Sequence, residues 1–127
     1  MKKLLTLTTL LCSLMFSSVS FGEWTKFVFN TRGDSYYVDF DRIRKHDGFR
    51  YYWVLMDMLE PDKYGTLSVK TYVQADCEIF KYKELSMKFY NQPMGQDSGQ
   101  TLSEESEWKY PSPTSAFEII LTEVCEQ

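Results

Sequence analysis

In the segment LSVKTYVQADC, residues 67–77, apolar and polar side chains alternate: Leu67, Val69, Thr71, Val73, Ala75 and Cys77 on one side, Ser68, Lys70, Tyr72, Gln74 and Asp76 on the other. Alternation with a period of two predicts a β-strand with one face on a core and the other largely in water. It also turns the sulfur of Cys77 inward at the strand end. Farther on, Phe117, Ile120, Leu121, Val124 and Cys125 recur at helical spacing. A C-terminal helix would therefore carry Cys125 on its buried stripe. A helix laid across the sheet brings the two sulfurs together.

The start of the chain says whether those sulfurs can bond. MKKLLTLTTLLCSLMFSSVSFG has two lysines, an apolar run from Leu4 to Phe16, and small residues Ser20 and Gly22 flanking Phe21. That three-part pattern predicts a signal peptide over residues 1–22, cleaved before Glu23. A membrane anchor would need about 20 uninterrupted apolar residues, and this stretch is too short and too rich in Ser and Thr. No transmembrane segment is expected in the mature chain. Cys12 should leave with the leader. It follows Leu10 and Leu11 rather than small residues, so a lipid anchor is not expected. Export to the periplasm, the cell surface or the medium leaves Cys77 and Cys125 as an even pair in an oxidising compartment, where such pairs form disulfides. A reactive thiol would want an electropositive setting or a CxxC partner. A metal site would need more ligands than two distant cysteines and His46. The expected pairing is a structural Cys77–Cys125 disulfide.

Residues 23–127 then form a single domain of 105 residues with twelve basic and eighteen acidic side chains, a net charge of −6. That balance argues against a nucleic-acid partner, which would require an electropositive footprint. The strands expected are Trp24–Asn30, Ser35–Asp39, Phe49–Leu59, Leu67–Cys77, Glu78–Tyr90 and Glu105–Tyr110. Turns are expected at residues 31–34, His46-Asp47-Gly48 and 60–65. Phe40–Lys45 fits a helical turn or a strand extension equally. Asn91–Gln100, with Pro93, Gly95 and Gly99, reads as a loop. Both faces of FRYYWVLMDML (49–59) are apolar, so that strand should be central and at least partly covered on each side. The helix start has two candidate caps: Ser112 with Pro113, or Ser115 with Glu118 in a capping box. The fold class expected is α+β: one antiparallel sheet of about six strands, with the helix packed on one face and tied by the disulfide.

Clusters of residue types that can carry chemistry have plainer readings here. Asp39 and Asp41 share a face if extended, but match no calcium loop. Asp57, Glu60 and Asp62 lack the Gly and closing Glu of an EF-hand loop. His46 beside Asp47 has no nucleophile or orienting group at recognisable spacing. Arg42, Arg44, Lys45 and His46 form a small basic cluster. No catalytic residue, metal ligand or cofactor is assigned, and the chain is not expected to be an enzyme. The interaction material is aromatic: Tyr36, Tyr37, Tyr51, Trp53 and Tyr72 lie on strands, and aromatics with polar tips are enriched at binding surfaces. Alternation alone does not say which of them are wet.

The segments YYVDFDRI (36–43), SVKTYVQADC (68–77), FYNQPMGQ (89–96) and WKYPSPTSAFEIILTEVC (108–125), in this order, resemble the surface-adhesin protein E family of small exported bacterial proteins. The resemblance spans Trp24 to Cys125. It implies a six-stranded antiparallel sheet with a disulfide-tied C-terminal helix, and a role in binding host matrix and plasma proteins at the bacterial surface. The function expected is an exported, adhesin-like binding module with a protein partner. The alternative is a periplasmic accessory protein acting through self-association, for which a homodimer is the simplest form.

Overall fold

The computed structural model describes residues 24–29 and 32–127. The leader and its cleavage point before Glu23 lie outside the described residues. Seven strands form one sheet: β1 (Thr25–Phe29), β2 (Ser35–Val38), β3 (Arg44–His46), β4 (Phe49–Asp57), β5 (Ser68–Asp76), β6 (Lys81–Tyr90) and β7 (Gln100–Leu102). A single α-helix, α1 (Ala116–Glu126), closes the described chain. The order is β1-β2-β4-β5-β6-β7, every pairing is antiparallel, and β3 also pairs with β4. The α+β class, the single sheet and the helix tie are as the sequence predicts.

The strand count rises to seven because the segment Phe40–Lys45 takes both of the forms open to it. Phe40–Arg42 is one turn of 3-10 helix, and Arg44–His46 is extended. β2 and β3 thus lie end to end along the same edge of β4, β2 against Val54–Asp57 and β3 against Phe49–Tyr51. The β3–β4 hairpin turns on Asp47 (φ 50°) and Gly48 (φ 81°), two left-handed residues. An Asp-Gly pair supplies that mirror-image turn, whose twist matches the strands it joins.

A regular strand over Glu105–Tyr110 is not formed, and this expectation is corrected. The strand that pairs with β6 is Gln100–Leu102, which starts at the last residue of the segment expected to be a loop. Beyond it the chain keeps beside β6, but the β6 backbone is hydrogen-bonded to it at only two places. Ser106 and Glu84 exchange bonds, with the Ser106 hydroxyl replacing a backbone acceptor, and Lys109 and Tyr82 exchange backbone bonds. The cause lies in β6. Its register against β5 slips between Tyr72 and Val73, so Leu85 bulges out and the edge cannot continue a regular ladder. Trp108 is held between the ammonium groups of Lys81 and Lys83, 4.9 and 5.1 Å from its ring, and packs on Phe49.

The core lies between the sheet and α1. Tyr36, Val38, Tyr52, Val54, Val73, Ala75 and Tyr82 from the strands meet Ile120, Leu121 and Val124 from the helix. Phe117 fits between Tyr82, stacked at 5.3 Å, and Tyr36, edge-on at 6.2 Å. Ser115 is the N-cap, accepting from the Glu118 N–H at 3.2 Å. The Glu118 carboxylate reaches back to the Thr114 N–H at 3.0 Å, so the second of the two caps is used. At the other end Arg50 donates to the carbonyls of Val124 and Gln127 at 2.5 and 2.9 Å. The helix has 11 residues, below the roughly 12–15 at which isolated helices become even marginal in water. Packing and the covalent tie hold it. Cys77, in the turn after β5, bonds Cys125 with 5.6 Å between the Cα atoms.

Candidate functional site

The helix covers one face of the sheet, so the opposite face is the candidate site. Cross-strand pairing decides which side chains share it. Trp53 lies opposite Tyr72, Leu55 opposite Lys70, Tyr51 opposite Gln74 and Asp57 opposite Ser68. Lys70 in turn lies opposite Lys88, and Tyr72 opposite Ser86. Tyr37 joins this face through its pairing with Leu55. The rings of Tyr51, Tyr72 and Trp53 form a half-buried ladder, with Tyr72 6.1 Å from Tyr51 and 4.7 Å from Trp53. The Arg44 guanidinium sits 5.0 Å over Tyr51.

Four of the five aromatic residues singled out in the sequence therefore share the uncovered face. Tyr36 does not. It is only 9% exposed and packs against Phe117 beneath the helix. Neighbours in a strand point to opposite faces, and Tyr36 keeps the parity of buried Val38.

Part of the uncovered face is roofed by the FYNQPMGQ segment. Asp57 accepts the Met94 N–H at 2.8 Å, the Ser68 hydroxyl accepts the Gly95 N–H at 2.8 Å, and Ser68 donates to the Gln92 carbonyl at 2.5 Å. The turn needs two left-handed residues in succession, Met94 (φ 58°) and Gly95 (φ 64°). A Cβ on Gly95 would come within 2.6 Å of Lys70 Cε and 3.6 Å of Leu55 Cδ1. The turn thus lies directly on these two side chains, and Leu55 is fully buried although it faces away from the helix.

Beside this roof opens a groove of about 840 Å³. Trp24, Trp53 and Tyr90 supply its aromatic walls, Lys70, Lys88 and Arg42 its cations, and Gln96 and Asp97 part of its rim. That volume is within the range of small-molecule sites. Lys70 Nζ lies 5.2 Å from the Tyr90 ring centre and 5.8 Å from that of Trp24; Lys88 Nζ is 5.8 Å from the Tyr90 ring centre. Burial, and secondarily the charge of Lys88, pull the Lys70 pKa below the ordinary lysine value. Asp39 also lines the groove, is buried, and pairs through Oδ2 with Arg42 Nε at 3.4 Å.

The other clusters have local roles. Asp39 is buried and Asp41 exposed, because the 3-10 turn intervenes. Asp57 holds the Met94 turn. Asp62 accepts from the Tyr64 and Thr66 N–H groups at 2.8 and 2.9 Å, and these backbone donors, that of Thr66 foremost, hold its carboxyl below the usual value. His46 Nε2 lies 3.2 Å from Asp47 Oδ2 on an exposed hairpin tip. Among the described residues no three His, Cys, Asp or Glu side chains converge as a metal site requires. Sequence reasoning missed Lys70, Lys88 and Trp24 as site residues. The signal available was the pair of lysines on strands β5 and β6, but their register depends on a bulge that local alternation does not reveal.

The family model for surface-adhesin protein E matches residues 24–126, nearly the whole described chain. The chain belongs to that family. Solved structures of Haemophilus influenzae protein E share its fold. One crystal form is 16% identical with a TM-score of 0.63, covering 85% of this chain and 90% of that one. Another is 15% identical with a TM-score of 0.60, covering 85% and 86%. Protein E from a non-typeable strain is 15% identical with a TM-score of 0.58, covering 85% and 78%. At such identity the likeness carries the adhesin E fold and not the side chains of the site. No curated protein matches the sequence. Among the described residues no helix is long and apolar enough to cross a membrane.

Proposed function

We propose that residues 23–127 are the mature form of an exported, non-enzymatic binding module that presents its uncovered sheet face to an extracellular or host protein. The observation that carries this reading is the Tyr51–Tyr72–Trp53 ladder, half-buried on a face that the helix leaves open. Partly exposed aromatics that are already stacked lose little rotamer entropy on binding and serve as contact anchors. Membership of a surface-adhesin family supports the same role and an extracellular location.

The test is binding of the exported, oxidised protein to a panel of extracellular-matrix and plasma proteins. Trp53→Ala and Tyr72→Ser should each weaken binding by 10-fold or more, as truncation of an interface anchor does. Ile119→Ala, on the outer side of α1, should leave it unchanged. Equal binding by all variants would remove the face from consideration. Protease shaving of intact cells gives the location: peptides released from outside support adhesion. No binding across the panel, with release only after outer-membrane rupture, would favour the periplasmic, self-associating alternative.

A further inference from the structure

We propose that the groove between Trp24, Trp53 and Tyr90 is a binding site for an acidic sugar, a pyranose unit carrying a carboxylate. This goes beyond the protein-contact reading and stands independently of it, since sugar binding can be measured with no protein partner present.

Three features of the groove match three features of such a ligand. The first is the pair of cations. Lys70 and Lys88 lie directly opposite each other on β5 and β6, and their ammonium groups face the same Tyr90 ring at 5.2 and 5.8 Å. Like charges opposite one another destabilise a sheet. Neither lysine makes an ion pair among the described residues, although Asp and Glu outnumber Lys and Arg in the chain. The ring faces compensate the charges only in part. A carboxylate bound between the two ammonium groups would relieve the repulsion and gain charge-assisted hydrogen bonds.

The second feature is the aromatic wall. Trp24 and Trp53 are half-buried on the groove, and an indole face, negative at its centre, suits the polarised C–H groups of a pyranose ring. The third is the rim, where Gln96 and Asp97 offer amide and carboxylate groups to hydroxyls. Asp97 disfavours a second anionic group at that end, so one carboxylate per unit fits better than a densely charged polymer. The Pro93–Gly95 turn, fixed through Asp57 and Ser68, holds Lys70 from above. The cation is therefore set in place before any ligand arrives, which lowers the entropic cost of binding.

The experiment titrates the exported, oxidised protein with D-glucuronate, D-glucose, acetate and N-acetylglutamate, following tryptophan fluorescence and the indole N–H resonances of Trp24 and Trp53. Glucuronate should bind saturably and at least 10-fold more tightly than the other three, and weaken several-fold between 20 and 200 mM salt. Lys88→Gln should lower glucuronate affinity at least 5-fold while the circular dichroism and the Trp108 resonance stay unchanged. Lys70→Gln should do the same. A hyaluronan tetrasaccharide separates the two sources of the sugar: tighter binding than the monosaccharide supports a glycan chain, and equal binding supports a single free or terminal unit. Acetate or N-acetylglutamate binding as tightly as glucuronate would overturn the proposal in favour of a plain anion or acidic-peptide site. So would glucose binding as tightly, or undiminished affinity in both lysine variants.

Discussion

Opening the Cys77–Cys125 bond should cost the domain about 4 kcal/mol while leaving it folded. The two cysteines are 48 residues apart in sequence, and the chain-entropy model assigns about 4 kcal/mol to a closed loop of that length. Against this stands the burial of Ile120, Leu121 and Val124, each fully withdrawn from water and each contributing roughly 1.5–3 kcal/mol. The packing of the helix thus exceeds the contribution of its tether, and α1 should remain docked without it. Domains of this size have stabilities of about 5–15 kcal/mol, so the reduced form keeps a positive margin of about 1–11 kcal/mol. The assay is urea unfolding, followed by far-ultraviolet circular dichroism, of the oxidised protein, the reduced protein and the Cys77→Ala/Cys125→Ala variant. The midpoint should fall in both altered forms, and thermal unfolding should drop by roughly 15–30 °C. The urea m-value should rise, because an uncrosslinked unfolded chain exposes more surface. Stabilities within about 0.5 kcal/mol of the oxidised protein would refute the argument. Loss of the helix alone, with the sheet intact, would refute the ranking of packing above tether.

Gly95→Ala forces a side chain into a left-handed position and against Lys70. It should cost about 1–2 kcal/mol in denaturant unfolding and move the Lys70 resonances. Arg50→Gln removes the donor to the last carbonyls of α1. It should cost roughly 1–2 kcal/mol and speed amide exchange at Cys125–Gln127, whereas unchanged exchange would show that the helix end is held otherwise. At alkaline pH, burial first and the Glu84 charge second push the Tyr82 phenol up to about 12. The folded state then keeps a proton on Tyr82 that the unfolded chain releases near pH 10, so this one group lowers stability as pH rises from about 10 to 12, by roughly 1.4 kcal/mol per unit. Tyr82→Phe should flatten that decline; an unaltered pH profile would count against the cause given.

What could be read from the sequence is what depends on neighbours along the chain. β5 declared itself because its faces differ in polarity, and α1 because its stripe is apolar at helical spacing; both sulfurs followed from those two periods. The choice between the two helix caps rested on a hydrogen bond between Ser115 and Glu118, and either cap satisfied the local pattern. Contacts made by distant segments were hidden. Leu55 looked like half of an apolar face and is buried because residues 92–95 fold over it. The loop reading of those residues was sound as far as Pro93, Gly95 and Gly99 go, but three side-chain-to-backbone bonds order part of it. Glu105–Tyr110 carries the strand-favouring aromatics Trp108 and Tyr110 two residues apart, yet the bulge at Leu85 denies it a regular partner. Tyr36 and Tyr37 are chemically alike, and only strand parity separates core from surface.

The lysine pair in the groove sets stability against binding, and this can be tested without any ligand. Burial and the Lys88 charge lower the Lys70 pKa. The folded state therefore binds fewer protons than the unfolded chain in a window just below 10.5, and stability should rise with pH across it. This is opposite in sign to the Tyr82 effect, which begins near pH 10. Lys88→Gln removes one of the two causes. It should raise stability at neutral pH by the roughly 0.2–1 kcal/mol of a like-charged cross-strand pair, toward the low end because solvent screens partly exposed groups. The rise in stability below pH 10.5 should become shallower, and the Lys70 Nζ should titrate closer to an ordinary lysine. A domain that gains stability when a groove lysine is removed has kept that lysine against its folding interest, as binding sites do. If Lys88→Gln instead destabilises the domain by 1 kcal/mol or more, the lysine is a structural element of the sheet, and its place in the groove has no bearing on ligands.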